Sequence, residues 1–120
     1  MASMDDSPLF DRSALDGLRK FGHADFIRNM VAVYERSTAD IPELISRMHS
    51  AGDWDGIAQQ AHSLRSGAGN LGLVRLTNVL GELEVAARAG GGDEAELLVA
   101  LLPELHKLSG DLLTRFVERS

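Results

Sequence analysis

The sequence predicts an all-α domain: an antiparallel four-helix bundle with a short additional helix at its N-terminus. Three observations carry this. Leucine and alanine dominate the apolar residues while aromatics make up only 5% of the chain, a composition that leans toward helix. Apolar residues recur at steps of three and four through four long segments, the spacing of one helix face. No stretch of strand length alternates apolar and polar residues with period two.

Residues 1–8 are polar, contain Pro8 and form a loose lead-in to a single domain over 9–120. A short helix is expected over 11–20, with Leu15 and Leu18 at a spacing of three. Gly22 is placed to end it in a left-handed conformation. From Asp25 the reading takes Phe26, Met30, Val33, Ser37, Ile41, Leu44 and Met48 as one buried face. Pro42 interrupts it, and an interior proline costs a helix about 3 kcal/mol. Either the helix kinks there or Asp40 caps a second helix; the unbroken phase favours a kink.

Ala51-Gly52 closes this element, and Asp53 is a good N-cap for the next. That helix runs from Trp54 to about Gly69 or Asn70, with Ile57, Ala61, Leu64 and Ala68 inward. Asn70-Leu71-Gly72 turns the chain. The following helix buries Leu73, Leu76, Leu80, Leu83 and Ala87 and stops at Gly90-Gly91-Gly92. Asp93 with Glu96 resembles a capping box at the start of the last helix. Its expected seam is Leu98, Leu101, Leu105, Leu108, Leu112 and Phe116, and Pro103 is expected to bend it.

Composition excludes several functions. The net charge is −6, which argues against nucleic-acid binding through a basic surface and against anionic membranes. The absence of cysteine removes disulfides and thiolate metal sites. No two histidines are spaced i, i+3 or i, i+4 as a helical metal site requires, so neither a metal nor a cofactor is expected. With no membrane-length apolar run and no secretory signal in MASMDDSP, the expected compartment is the cytoplasm. His23, His49 and His106 read as ordinary surface or boundary residues.

His62 stands apart. At about 100° per residue it lies about 140° from Ile57 and points out of the bundle. Ala58, Gln59, Arg65, Ser66 and Gly69 share its side of the helix. A solvated face normally carries Glu, Lys and Gln, and mid-helix glycines at 67 and 69 cost about 1 kcal/mol each relative to alanine. Such a face suits close approach by another surface, with Ala58 and Gly69 as docking positions. Imidazole, with an ordinary pKa of about 6.5, is largely neutral near neutral pH and can attack an activated phosphoryl group. Arg65, about one turn away, offers charge compensation, and Gln59 or Ser66 can hydrogen-bond the ring or a phosphoryl oxygen.

The stretch AHSLRSGAGNLG over 61–72 resembles the signature of histidine-containing phosphotransfer (Hpt) domains. Gly52-Asp53-Trp54, Pro42-Glu43-Leu44, Leu76 and Leu83-Glu84 are similar to that family's layout, so the likeness covers residues 10–117. The resemblance implies a phosphorelay intermediate in two-component signalling. His62 takes a phosphoryl group from the aspartate of one receiver domain and passes it to another, and the required Mg²⁺ belongs to the receiver. Arg65 stands where the family usually has lysine, which keeps the charge but changes its geometry. Ser66 stands where glycine is common.

Partners expected on this reading are receiver domains of response regulators or a hybrid histidine kinase. The protein is then a phosphoryl carrier rather than an enzyme, with no kinase or ATP-binding domain. A complete four-helix core favours a monomer. The alternative is a non-catalytic adaptor bundle that docks a receiver or kinase. The dimerisation and phosphoacceptor region of a sensor kinase fits less well: there an acidic residue commonly follows the histidine, and here Ser63 does.

Overall fold

The computed structural model describes residues 8–20 and 24–119, apart from the side chains of Ala14 and Leu18. Within them run six helices: α1 (Ser13–Lys20), α2 (Ala24–Thr38), α3 (Ile41–Ser50), α4 (Trp54–Asn70), α5 (Val74–Arg88) and α6 (Asp93–Glu118). The described residues contain no strand. Gly22, His23, residues 1–7 and the Leu18 side chain, on which parts of the sequence reading rest, lie outside the described residues.

The four arms are α2 with α3, then α4, α5 and α6. Short connections at residues 51–53, 71–73 and 89–92 reverse the chain each time, so neighbouring arms are antiparallel. The most extensive packing is α4 on α5; α5 packs in turn on α6, and α3 bridges α4 and α6. Leu15, Ile27, Ile45, Ile57, Leu64 and Leu76 are fully buried in one common core. Truncating such a leucine to alanine typically costs about 2–5 kcal/mol in lost burial and cavity.

The first arm is split rather than kinked. Residues 39–40 form a turn, Asp40 occupies the N-cap of α3, and Pro42 sits in its first turn. There its missing N–H has no partner to lose. Asp40 itself makes no side-chain capping bond. The split also shifts the buried face of α2 by one residue, to Ile27, Val31, Tyr34 and Thr38. Phe26 and Val33, expected inside, are 53% and 47% exposed. Once the helix ends at Thr38, nothing forces its phase to match that of α3.

The last arm shows a similar slip. Leu98, Leu105 and Phe116 are buried as expected, but Leu102, Ser109 and Leu113 take the places assigned to Leu101, Leu108 and Leu112. The leucines span two adjacent stripes, and hydropathy follows them from one to the other. α6 runs unbroken through Pro103. Its N-cap is Gly92, with no side-chain cap. Asp93 is therefore inside the helix rather than capping it, and the Glu96 carboxylate pairs with His49 instead.

Two glycines fix the ends of the bundle. Gly72 has φ +77°, and a side chain there would strike the Asp11 carbonyl. The same approach lets the Asp11 N–H donate to the Gly72 carbonyl at 2.7 Å, strapping the start of the domain to the α4–α5 corner. Gly91 has φ +95° and lies under the Trp54 ring, which leaves no room for a Cβ. Trp54 in turn meets His49 edge to face at 5.6 Å between ring centroids.

Candidate functional site

The local sequence makes α4 a rigid platform. Asp53 caps it by accepting the Gly56 N–H at 2.9 Å, which satisfies one of the free donors of the first turn. Ile57, Ala61, Leu64 and Ala68 anchor its inner face, all at 0% exposure. His62 therefore projects outward near the middle of the helix, and its side chain is 56% exposed.

The ring does not stand alone. Glu84 reaches across from α5, one residue beyond the buried Leu83, and both of its carboxylate oxygens lie 3.2 Å from His62 Nδ1. The Arg65 guanidinium is 3.3 Å from the same nitrogen and 3.1 Å from Glu84. Arg88, one turn along α5, donates to Glu84 at 2.9 Å. The Glu84 side chain is only 12% exposed, whereas the groups around it are open to solvent.

These distances assign the tautomer. Arg65 can only donate, and Glu84 is there to accept from it. A carboxylate can only accept, so Nδ1 carries the hydrogen and donates it to Glu84. Nε2 then bears the lone pair and makes no hydrogen bond to any described residue. Burial alone would raise the Glu84 carboxyl. Hydrogen bonds from Arg88 and His62, with the charges of His62 and Arg65, outweigh it and hold the group below the ordinary carboxylate value.

Arg65 has its place because α5 offers none of its own bulk there. A Cβ on Gly81 would sit 3.6 Å from Arg65 Cδ, so the arginine lies along the glycine on its way to Glu84. Ser66 spends its hydroxyl on the His62 carbonyl at 3.3 Å and does not reach the ring. Gln59 is exposed a turn before His62 and makes no hydrogen bond to it among the described residues. The ring partner expected of Gln59 or Ser66 is Glu84, because it alone approaches from the neighbouring helix at the height of Nδ1.

The small residues divide in two. Ala58 is 1% exposed and is corrected from docking position to core: α4 is covered on the flanks of its inward stripe as well as along it. Gly67 faces inward too, its missing Cβ 3.2 Å from the Tyr34 ring. Gly69 is exposed as expected, with a missing Cβ 3.8 Å from Thr77. Beside this face a groove of about 360 Å³ opens between α2 and α4, lined by Met30, Val33 and Tyr34 from one helix and Ser63, Gly67 and Asn70 from the other.

Glu84 is the site residue that sequence reasoning left without a role. Its signals were a charge one step from the Leu83 core position and an i, i+4 arginine at 88. Which residue of α4 it meets depends on how the two helices slide and rotate against each other. Among the described residues no group of three or more metal-ligating side chains gathers, and no helix is long and apolar enough to cross a membrane.

Comparison with known proteins bears on the family and the fold. No curated protein matches the chain. The chain is similar to the crystal structure of histidine-containing phosphotransfer protein B from Pseudomonas aeruginosa PAO1. The TM-score is 0.82 at 22% identity, covering 96% of this chain and 99% of that one; the likeness is one of fold. The family model of the Hpt domain matches residues 29–114, which include α3, α4 and α5 whole and the histidine with its carboxylate partner. The chain belongs to the Hpt domain family.

Proposed function

We propose that His62 is the phosphoacceptor of a two-component phosphorelay and that its Nε2 exchanges a phosphoryl group with receiver-domain aspartates. The observation that carries this is the His62–Glu84 bond, which holds the hydrogen on Nδ1 and turns the Nε2 lone pair to solvent. In the forward step Nε2 attacks the phosphorus of an aspartyl phosphate. The N–P bond forms, the P–O bond to the aspartate breaks, and its electron pair returns to that carboxylate. The ring keeps its Nδ1 hydrogen and becomes positive, a charge that Glu84 is placed to stabilise. Transfer to a second aspartate reverses the step.

Arg65 serves the phosphoryl oxygens by leaving Glu84, whose carboxylate remains held by Arg88. Ser66 and Gln59 border the path of the incoming group. The exposed Phe26, Val33 and Gly69, with the groove between α2 and α4, form the surface on which a receiver domain or hybrid kinase docks. The Mg²⁺ that such a transfer needs belongs to the receiver, and the protein carries phosphate without a kinase activity of its own. On this reading it works in the cytoplasm.

The test is transfer from a ³²P-labelled receiver domain. The wild type takes up label, and His62→Gln does not. Full labelling of that variant would discard His62 as acceptor; docking without labelling of the wild type would favour an adaptor.

A further inference from the structure

The outer flank of α6 carries an apolar row that the bundle does not use. Leu97, Leu101 and Leu108 are 57%, 39% and 40% exposed, and Leu112 is half-buried beside them. At about 100° per residue these leucines, with Glu94 and Arg115 at the two ends, fall within about 80° of one another. They form a stripe next to the buried one, not a scatter of surface leucines. A contiguous apolar row bordered by charge marks an interaction surface.

We infer that this flank of α6 binds the same flank of a second copy of the chain, antiparallel about a two-fold axis. The leucines set the register. With the copies opposed end for end, Leu101 meets Leu108 of the second copy, and Leu97 meets its Leu112. In that register Glu94 faces Arg115 of the second copy, and the axis repeats the pair at the other end. Both side chains are exposed. Arg115 otherwise reaches only the Asp111 carbonyl of its own helix, at 3.4 Å, and Glu94 has no ion pair among the described residues.

Charge and apolar surface therefore choose the same orientation. The helix opens with Asp93, Glu94 and Glu96 in its first turn and has Arg115 in its last, so two copies attract end to end only when antiparallel. Glu104 opposes the pairing, because it stands close to its own copy at the axis; Lys107 of the second copy lies near enough to offset it. The bundle core is untouched, so a closed core and a dimer are compatible. Because α6 packs mainly on α5, α3 and α2, the outward face of α4 stays open, and one particle presents two phosphoacceptors.

Sedimentation equilibrium from micromolar to millimolar protein tests this, with His62 labelling as the check that each variant is folded. The wild type is expected to show a monomer–dimer equilibrium. Leu101→Lys raises the dissociation constant at least about tenfold, as loss of a central apolar contact does. Glu94→Arg and Arg115→Glu each weaken association severalfold, and the double variant restores it. A monomer across the whole range, a dimer indifferent to Leu101→Lys, or a double swap without recovery would each overturn the proposal.

Discussion

Glu84 on α5 holds Nδ1 of His62 on α4 at 3.2 Å across 22 residues of sequence. A charge-assisted hydrogen bond of this kind is worth about 1.5–3 kcal/mol when protected, and the half-exposed ring places it at the lower end. Glu84→Ala is expected to slow transfer from a phosphorylated receiver about tenfold, because the ring can then turn and change tautomer. Glu84→Gln, which keeps an acceptor at Nδ1, loses less. Rapid-quench transfer kinetics measure both; an unaltered rate in Glu84→Ala would remove the orienting role.

The Glu84 carboxyl is held below its ordinary value, so its ionised form and the bond to His62 persist as pH falls through the usual carboxylate range. They are lost only when pH passes the lowered folded value. Arg88→Ala removes one of the hydrogen bonds that act against burial, so the carboxylate should protonate at higher pH. The ¹³C shift of the Glu84 side-chain carboxyl, followed on acidification, is expected to move at higher pH in the variant than in the wild type; an unchanged midpoint would remove Arg88 from this role.

His106 gives a different pH dependence. Its Nε2 lies 3.2 Å from Thr38 Oγ1, whose own hydrogen goes to the Tyr34 carbonyl at 2.7 Å, so Nε2–H is the donor. Burial lowers the histidine below its ordinary value, against an opposing pull from Glu35. Between the ordinary value of about 6.5 and the lower folded one, the unfolded chain binds more protons, so stability rises with pH there. It is fully present above that window and lost as pH falls through it. The melting temperature should therefore drop further between pH 7.5 and 5.5 in the wild type than in His106→Gln.

Gly69 separates stability from docking. A Cβ there makes an ordinary 3.8 Å contact with Thr77, so Gly69→Ala should stabilise the free protein by about 0.5–1 kcal/mol. Gly69→Arg should fold yet raise the KM for a phosphorylated receiver, with less change in kcat. Thermal melts and saturation kinetics read the two effects apart; an unchanged KM in Gly69→Arg would move the docking surface elsewhere.

Much of this was legible in the residues themselves. The stripe through Ile57, Ala61, Leu64 and Ala68, with Asp53 before it and Gly72 after it, specifies α4 completely, because cap, period and breaker agree. The outward position of His62 follows from that stripe by helix geometry alone. α2 and α6 were harder because each carries two adjacent apolar stripes, and only packing decides which is buried: Thr38 and Ser109 went inside while Val33 and Leu108 stayed out. Ala58 was misplaced because a small residue fits a docking face and a tight core equally well. Glu84 joins the site through the relative rotation and height of two helices, quantities no local pattern records.

The packing of Trp54 has a practical side. It is the only tryptophan in the chain, wedged between His49 and the Gly91 turn where α3, α4 and the α5–α6 connection converge. Eight residues of helix, about 12 Å of rise, separate it from His62. The chain thus carries an intrinsic fluorophore at one pole of the bundle, whose emission follows the integrity of two chain reversals, α3–α4 and α5–α6, without contact with the face that carries His62.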